Sequence, residues 1–224
     1  MENPSIISLI QIQFPNNLIN AFDIPKFRGS IADQFPGYYL IHNHLNNGKL
    51  KYGYPLIQFK TINRIPTIIG LGEGIDILKK VFMEVETLDI DGRRNRIWEK
   101  TILMREEQFG EVDKFINYRF ASPWMALKEE NYETYKVMNA VEKQPFLRHL
   151  LRENFKTVSK GVQYWINNID EIKVEGFFSE VIRNFKNNRM VCFTGKFTAN
   201  FLIPEYLGVG KQVARGFGTV ERVR

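Results

Sequence analysis

Residues 54–85, YPLIQFKTINRIPTIIGLGEGIDILKKVFMEV, decide the fold of the first half of this chain. Residues 54–60 and 65–70 are two β-rich runs around a polar turn at 61–64, and they pair as a hairpin with Ile57 and Phe59 on one face. Residues 73–85 then place Ile75, Leu78, Val81 and Phe82 at helical spacing. Upstream, residues 5–14 (SIISLIQIQF) read as an apolar strand ended by Pro15, and residues 26–35 (KFRGSIADQF) as a short helix before Pro36-Gly37. Downstream, a further strand pair turns at Asp91-Gly92, with residues 97–104 as its second arm. Strand, helix, two strands, helix, strand is the split βαβ, or ferredoxin-like, plan. It predicts a four-stranded sheet with one face free of helices, a surface that RNA-binding proteins use and many others share.

The second half reads as another α+β module. Residues 113–121 (DKFINYRFA) alternate like a strand, residues 129–167 are helical, and Pro145 is placed to open a helix. There Phe146, Leu147, Leu150 and Leu151 share one side while Arg148, His149 and Arg152 point away, which makes His149 a surface residue. Strands return at 172–178, 190–197 and 218–223, with KNNR at 186–189 suited to a turn. The expected domains are residues 1–109 and 110–224.

Composition supports a folded protein. Of 224 residues, 44% are apolar and 25% charged, which excludes a mainly disordered, collagen-like or coiled-coil chain. No run approaches the roughly 20 apolar residues of a membrane span, and the start lacks the basic and apolar regions of a signal peptide. The expectation is a cytoplasmic protein with no membrane partner. The single cysteine, Cys192, excludes an intramolecular disulfide and a multi-cysteine zinc site.

Lys and Arg number 31 against 25 Asp and Glu, a net charge of +6. Its distribution is more telling than its size. Arg93 and Arg94, in DGRRNR, and the C-terminal Lys211, Arg215, Arg222 and Arg224 concentrate charge as an RNA-backbone surface does, although solvated turns do the same. Gly70, Gly72 and Gly74 are not a dinucleotide fingerprint, because Ile75 stands where its third glycine belongs; they read as a strand-to-helix turn. Gly210-Lys211 is not a P-loop either, since Gln212 replaces the Ser or Thr and Glu205 the first glycine. The segment Gly208-Val209-Gly210-Lys211 through Arg215-Gly216-Phe217-Gly218 is more specific. Two G-x-G units around two cations can offer backbone N–H groups and positive charge to a phosphate.

His42-Asn43-His44 admits three readings. As metal ligands two histidines lack a third or fourth partner nearby. As loop residues they have no function. As a metal-free pair, one takes a proton while the other gives one, because imidazole titrates near neutrality.

Taken together, the His42/His44 pair, YPLIQFK at 54–60, IIGLGEG at 68–74 and the glycine-rich ending resemble the CRISPR-associated endoribonucleases that cut repeat RNA into guide RNAs, in the branch associated with subtype I-B systems. The resemblance spans nearly the whole chain. It implies two tandem ferredoxin-like (RRM-like) domains, no cofactor and no metal. It further implies cleavage on the 3′ side of a repeat hairpin, leaving a 2′,3′-cyclic phosphate or 3′-phosphate and a 5′-hydroxyl. The ribose 2′-hydroxyl attacks the phosphate, His42 or His44 removes its proton, and an acid protonates the departing 5′-oxygen. Lys49 or Lys51 is placed to steady the nonbridging oxygens, and Tyr38, Tyr39 or Tyr52 to hold or protonate one. Lys51 and Tyr52 join the histidines as the expected catalytic set. Lys26 only loosely matches the lysine that the histidine-pair branch carries upstream. The expected RNA-binding set is Gly208, Gly210, Lys211, Arg215, Gly216, Gly218, Arg93 and Arg94. Expected partners are CRISPR repeat RNA, other CRISPR effector subunits and a second copy of the chain in a homodimer. The competing expectation is a noncatalytic RNA-binding subunit of a CRISPR ribonucleoprotein, and a third is a metal-dependent phosphoesterase.

Overall fold

The strands β1 (Ser5–Gln13), β2 (Ile57–Ile62) and β3 (Ile65–Leu71) are buried along most of their length, and Ile10, Ile12, Ile57, Phe59 and Ile68 fall on one face. The computed structural model describes residues 4–42, 53–185 and 188–223. Residues 7–107 with 214–216 form one compact unit, and residues 1–6, 108–213 and 217–224 form the other.

In the first unit, α1 (Ile24–Gln34) and α3 (Gly74–Glu84) cover the apolar face through Phe27, Ile31, Leu78 and Val81. The four-residue α2 (Tyr39–His42) follows α1. Strand order is β2-β3-β1-β6, with β2–β3 and β3–β1 antiparallel, which is the ferredoxin-like order. Gly70 is required by close approach: a Cβ there would stand 2.6 Å from Leu78 Cδ1 and 2.8 Å from Ile10 Cγ2.

One expected pairing is corrected. The hairpin turning at Asp91-Gly92 consists of β4 (Thr87–Ile90) and β5 (Arg93–Arg96), and residues 97–104 are not its second arm. Asp91 and Gly92 both take left-handed backbone, φ 57° and 71°, which closes a two-residue turn at Ile90↔Arg93. Lys100 is drawn away to the end of α3, where its Nζ donates to the carbonyls of Phe82 and Val85 at 2.5 and 2.8 Å. The chain then enters β6 (Thr101–Phe120), which supplies the fourth strand beside β1.

The second unit is built on the later part of β6, α4 (Glu129–Val137), α5 (Ala140–Gly161), β7 (Val174–Phe185), β8 (Asn188–Leu202) and β9 (Val220–Arg222). Its strand order, β9-β6-β8-β7, repeats the ferredoxin-like arrangement. The expectation of two tandem ferredoxin-like modules holds, with one substitution. Where the plan puts a helix between its third and fourth strands, this unit has the loop of residues 203–219, whose regular structure is the 3₁₀ turn Val213–Arg215. Pro145 does not open a helix: α5 starts five residues earlier, because Asn139 caps it by accepting from the N–H groups of Val141 and Glu142 at 2.9 and 3.1 Å. Leu147, Leu151 and Phe155 of α5 are buried, the last stacked on Phe201 at 5.1 Å, while His149 is exposed as expected. The β7–β8 register closes at Phe185↔Asn188; Lys186 and Asn187 of the expected turn lie outside the described residues.

In the first unit the face turned away from the helices is buried too, through Gln11, Gln58, Lys60, Thr67 and Ile69, so it is no open platform. Burial lowers the Lys60 pKa to about 7, whereas an unfolded lysine titrates near 10.4. Between these values the unfolded chain binds more protons than the folded one, so stability must rise with pH. We expect the unfolding free energy to climb between pH 7 and 10, by up to about 1.4 kcal/mol per unit. Lys60→Met should lose that slope, holding an advantage over the parent at pH 7 that shrinks toward pH 10. Urea unfolding of both proteins checks this, and parallel pH profiles would refute it.

Candidate nucleic-acid interface

α2 is too short to persist alone, and its last carbonyls need donors from elsewhere. Arg28 of α1 supplies them. Its Nε and one Nη reach the Ile41 carbonyl at 3.2 and 2.9 Å, and the same Nη reaches the His42 carbonyl at 2.7 Å. Half-buried His42 is fixed a second time, its Nε2 lying 3.2 Å from the Phe35 carbonyl. A carbonyl only accepts, so Nε2 carries a proton, and in the neutral imidazole Nδ1 is then the acceptor. The Arg28 pKa is lowered, first by burial and then by the positive charge of Arg215. Arg28 thus holds His42 by hydrogen bonds and feels the charge of Arg215, which belongs to the same unit although it follows His42 by more than 170 residues.

The neighbouring candidates separate. Tyr39 donates its hydroxyl to Glu73 at 2.8 Å, which raises its pKa and ties it to the start of α3. Lys80 lies over the Tyr38 ring at 5.5 Å. Lys26, two residues before Arg28 and so on the far side of α1, pairs with Asp23 at 3.2 Å and Asp91 at 2.7 Å. His44, Lys49, Lys51 and Tyr52 lie outside the described residues. Among the described residues no group of three His, Cys, Asp or Glu side chains is placed to hold a metal ion.

The glycine-rich loop is held by close packing at its glycines. Gly210, at φ 98°, lies flat on Trp124, where a Cβ would come within 2.6 Å of the indole. Gly218, at φ 62°, would drive a Cβ into the Val209 carbonyl; its N–H donates to Pro123 O at 2.9 Å and its carbonyl accepts from Val209 N at 2.8 Å. Gly208 pairs with Thr219 in a β-bridge, and Gly216, at φ 85°, is buried against Ile24 and the Phe59 carbonyl in the first unit. The Gly218 N–H is thus not free for a phosphate, contrary to the picture of an open backbone cradle. What the loop turns outward is the exposed Lys211 and the half-buried Arg215. Lys211 is anchored by its backbone N–H to Met125 O at 3.0 Å, and burial of its stem lowers the ammonium pKa, as does the charge of Lys128. Arg93 and Arg94 stand exposed on β5.

Comparison with known proteins gives the lineage of this arrangement. Residues 5–108 match the Cas6b N-terminal domain, and residues 110–223 match the Cas6b C-terminal domain. The chain belongs to the Cas6b family. A solved structure titled crystal structure of Cas6b is 40% identical, with a TM-score of 0.93, covering 98% of this chain and 100% of that one. A second, titled crystal structure of CRISPR RNA processing endoribonuclease Cas6b, is 36% identical with a TM-score of 0.80 over the same shares. An uncharacterized protein of Methanocaldococcus jannaschii is 33% identical over 145 residues, which are 64% of this chain and 97% of that protein.

The residue in this Cas6b that sequence reasoning passed over is Arg28. It lies in a helix whose apolar spacing is legible, but no local pattern announces a guanidinium aimed at carbonyls thirteen and fourteen residues ahead. Arg28→Met should leave both carbonyls without their donor and cost about 1.5–3 kcal/mol of stability, as loss of a charged hydrogen-bond donor does. The damage should be local. Hydrogen exchange at Ile41, whose N–H bonds to Tyr38 O at 3.0 Å, is expected to speed up more than at Ile68 in the sheet. Equal acceleration at both positions would show that Arg28 acts on global stability and not on α2.

Proposed function

We propose that this Cas6b chain is a metal-independent endoribonuclease that cuts CRISPR repeat RNA within the precursor transcript to release guide RNAs. The observation that carries the reading is the anchored His42 with its Nδ1 lone pair available, in a family whose solved member is titled a CRISPR RNA processing endoribonuclease. In the proposed reaction the ribose 2′-oxygen attacks the adjacent phosphorus and the bond from phosphorus to the 5′-oxygen breaks. The products are a 2′,3′-cyclic phosphate, which can open to a 3′-phosphate, and a 5′-hydroxyl.

His42 suits the part of base, because the Phe35 carbonyl assigns the ring proton to Nε2 and leaves Nδ1 to accept the 2′-hydroxyl proton. His44 is then the acid that returns a proton to the leaving oxygen. Lys51 and Tyr52 complete the set by steadying charge on the nonbridging oxygens. Arg215 favours an anion close to His42, and Lys211 extends the positive loop toward the RNA backbone, where Arg93 and Arg94 offer further phosphate contacts. Tyr39, engaged by Glu73, is dropped from the phosphate-holding candidates, and Lys26, engaged by two aspartates, from the cationic ones.

Incubation with repeat RNA in EDTA tests the reading. A discrete cut supports it, RNA bound but uncut supports a noncatalytic subunit, and a cut that returns only with added divalent metal supports a metal-dependent phosphoesterase. His42→Ala and His44→Ala should each slow cleavage by roughly 10² or more with RNA affinity kept within severalfold. A single 2′-deoxyribose before the scissile phosphate should abolish cutting and spare binding. Undiminished cutting of that substrate would identify water as the nucleophile.

The loop cations give an independent measurement. The Lys211→Ala/Arg215→Ala double variant should bind repeat RNA more weakly, with the slope of log affinity against log salt shallower by about 0.7 for each lost phosphate contact. An unchanged slope in the folded variant would remove the loop from the binding surface.

A further inference from the structure

We propose that the cleft between the β4–β5 hairpin and residues 16–23 holds one unpaired nucleobase of the RNA, a reading that rests on the RNA substrate inferred above. The cleft has a volume of about 570 Å³, within the usual range for a small-ligand site and ample for a base with its ribose. Its lining is amide-rich, with Asn16, Asn17, Asn20 and Asn95. Asn16 and Asn95 already donate Nδ2, to Glu99 Oε2 at 3.2 Å and to the Arg93 carbonyl at 3.0 Å, which leaves their Oδ1 atoms to accept from the polar edge of a base. Asn17 donates Nδ2 to the Arg96 carbonyl at 3.3 Å, yet its buried Oδ1 has no partner among the described residues. On the rim, Phe22 leaves 73% of its surface exposed, a flat apolar ring of the kind on which bases stack.

The charges also favour a nucleotide. The cleft's two carboxylates, Asp23 and Asp91, are both taken by Lys26, so they do not repel a phosphate as free acids would. No carboxylate pairs with Arg93, Arg94 or Arg96 among the described residues, which leaves three guanidinium groups along β5 for the flanking phosphates. Arg96 lies over the ring of Trp98 at 4.6 Å, and Trp98 is itself 74% exposed, offering a second stacking surface beyond the hairpin.

The test uses labelled repeat RNA with its single-stranded flanks, made uncleavable by one 2′-deoxyribose, and a series in which each unpaired nucleotide in turn is abasic. With the parent protein, one abasic position should lower affinity by roughly tenfold, the scale of one stacked base. Phe22→Ala should lose about as much on the intact RNA and become indifferent to that position. Its salt slope should stay unchanged, because stacking releases no counterions. Asn95→Ala, on the exposed strand β5, should become indifferent to the same position. Both substitutions are at exposed residues, so the folded parent and variants can be compared directly. If neither variant loses sensitivity to any abasic position while the parent binds and cuts repeat RNA, the cleft is not a base site. If the parent fails to bind RNA at all, the substrate reading falls together with this one.

Discussion

The fork from Arg28 to the carbonyls of Ile41 and His42 is the interaction on which the candidate chemistry depends. A four-residue helix has more unsatisfied backbone groups than internal bonds, so its position is set by whatever satisfies them. Here a half-buried guanidinium does so, while the Phe35 carbonyl fixes the imidazole. Backbone and ring of His42 are thus both referred to α1, and α1 is referred to the sheet by Phe27 and Ile31. Removing an imidazole removes a proton acceptor; disturbing Arg28 would leave the acceptor in place and move it, a loss by misplacement that a short distance suffices to produce.

The loop of residues 203–219 answers a topological demand. β9 must return to pair with β6 at Tyr118↔Arg222, and the connection from β8 does so without the helix that the ferredoxin-like plan supplies at this point. Tyr118 marks the departure: its hydroxyl donates to Phe201 O at 2.9 Å and accepts from Ile203 N at 3.0 Å. Arg222 holds the Ile203 carbonyl from the far end of the loop, through Nε and Nη2 at 3.3 and 3.2 Å. A helix would distribute its side chains around an axis. A loop pressed onto Trp124 and Val209 by glycines puts its backbone inward, and the two cations follow from where the glycines leave room.

The sequence carried the fold because the relevant signals are local: hairpin alternation at 57–71, helical spacing at 74–84, and apolar positions of α5 that the structure buries. Where it misled, a longer-range interaction won. Residues 97–104 have strand character, but Lys100 is held by the α3 carbonyls and the strand goes to β1. Pro145 is a good first helical residue, but the Asn139 cap starts the helix earlier and the missing proline N–H is tolerated inside it. The candidate site was legible only as a list of residues. His42 stood out by scarcity and Arg215 by its glycine setting, but no local signal tells that the first unit takes in residues 214–216 from near the end of the chain.

Net charge says little about where an anion binds, because several of these cations are already answered. Lys26, Arg119, Lys143 and Lys156 each have a carboxylate within 3.2 Å, and Arg28 is occupied by carbonyls. Such pairs neutralise one another locally and contribute little field at a distance. The field that reaches a polyanion comes from groups without that compensation, among them the guanidinium groups of β5, which no carboxylate pairs among the described residues. Lys211 also feels Lys128, whose like charge helps lower its pKa. Glu129 acts on it in the opposite sense, and the Lys211 Nζ donates to the Leu127 carbonyl at 3.4 Å, so Lys211 is partly answered within its own surroundings and the β5 guanidinium groups are the less compensated ones.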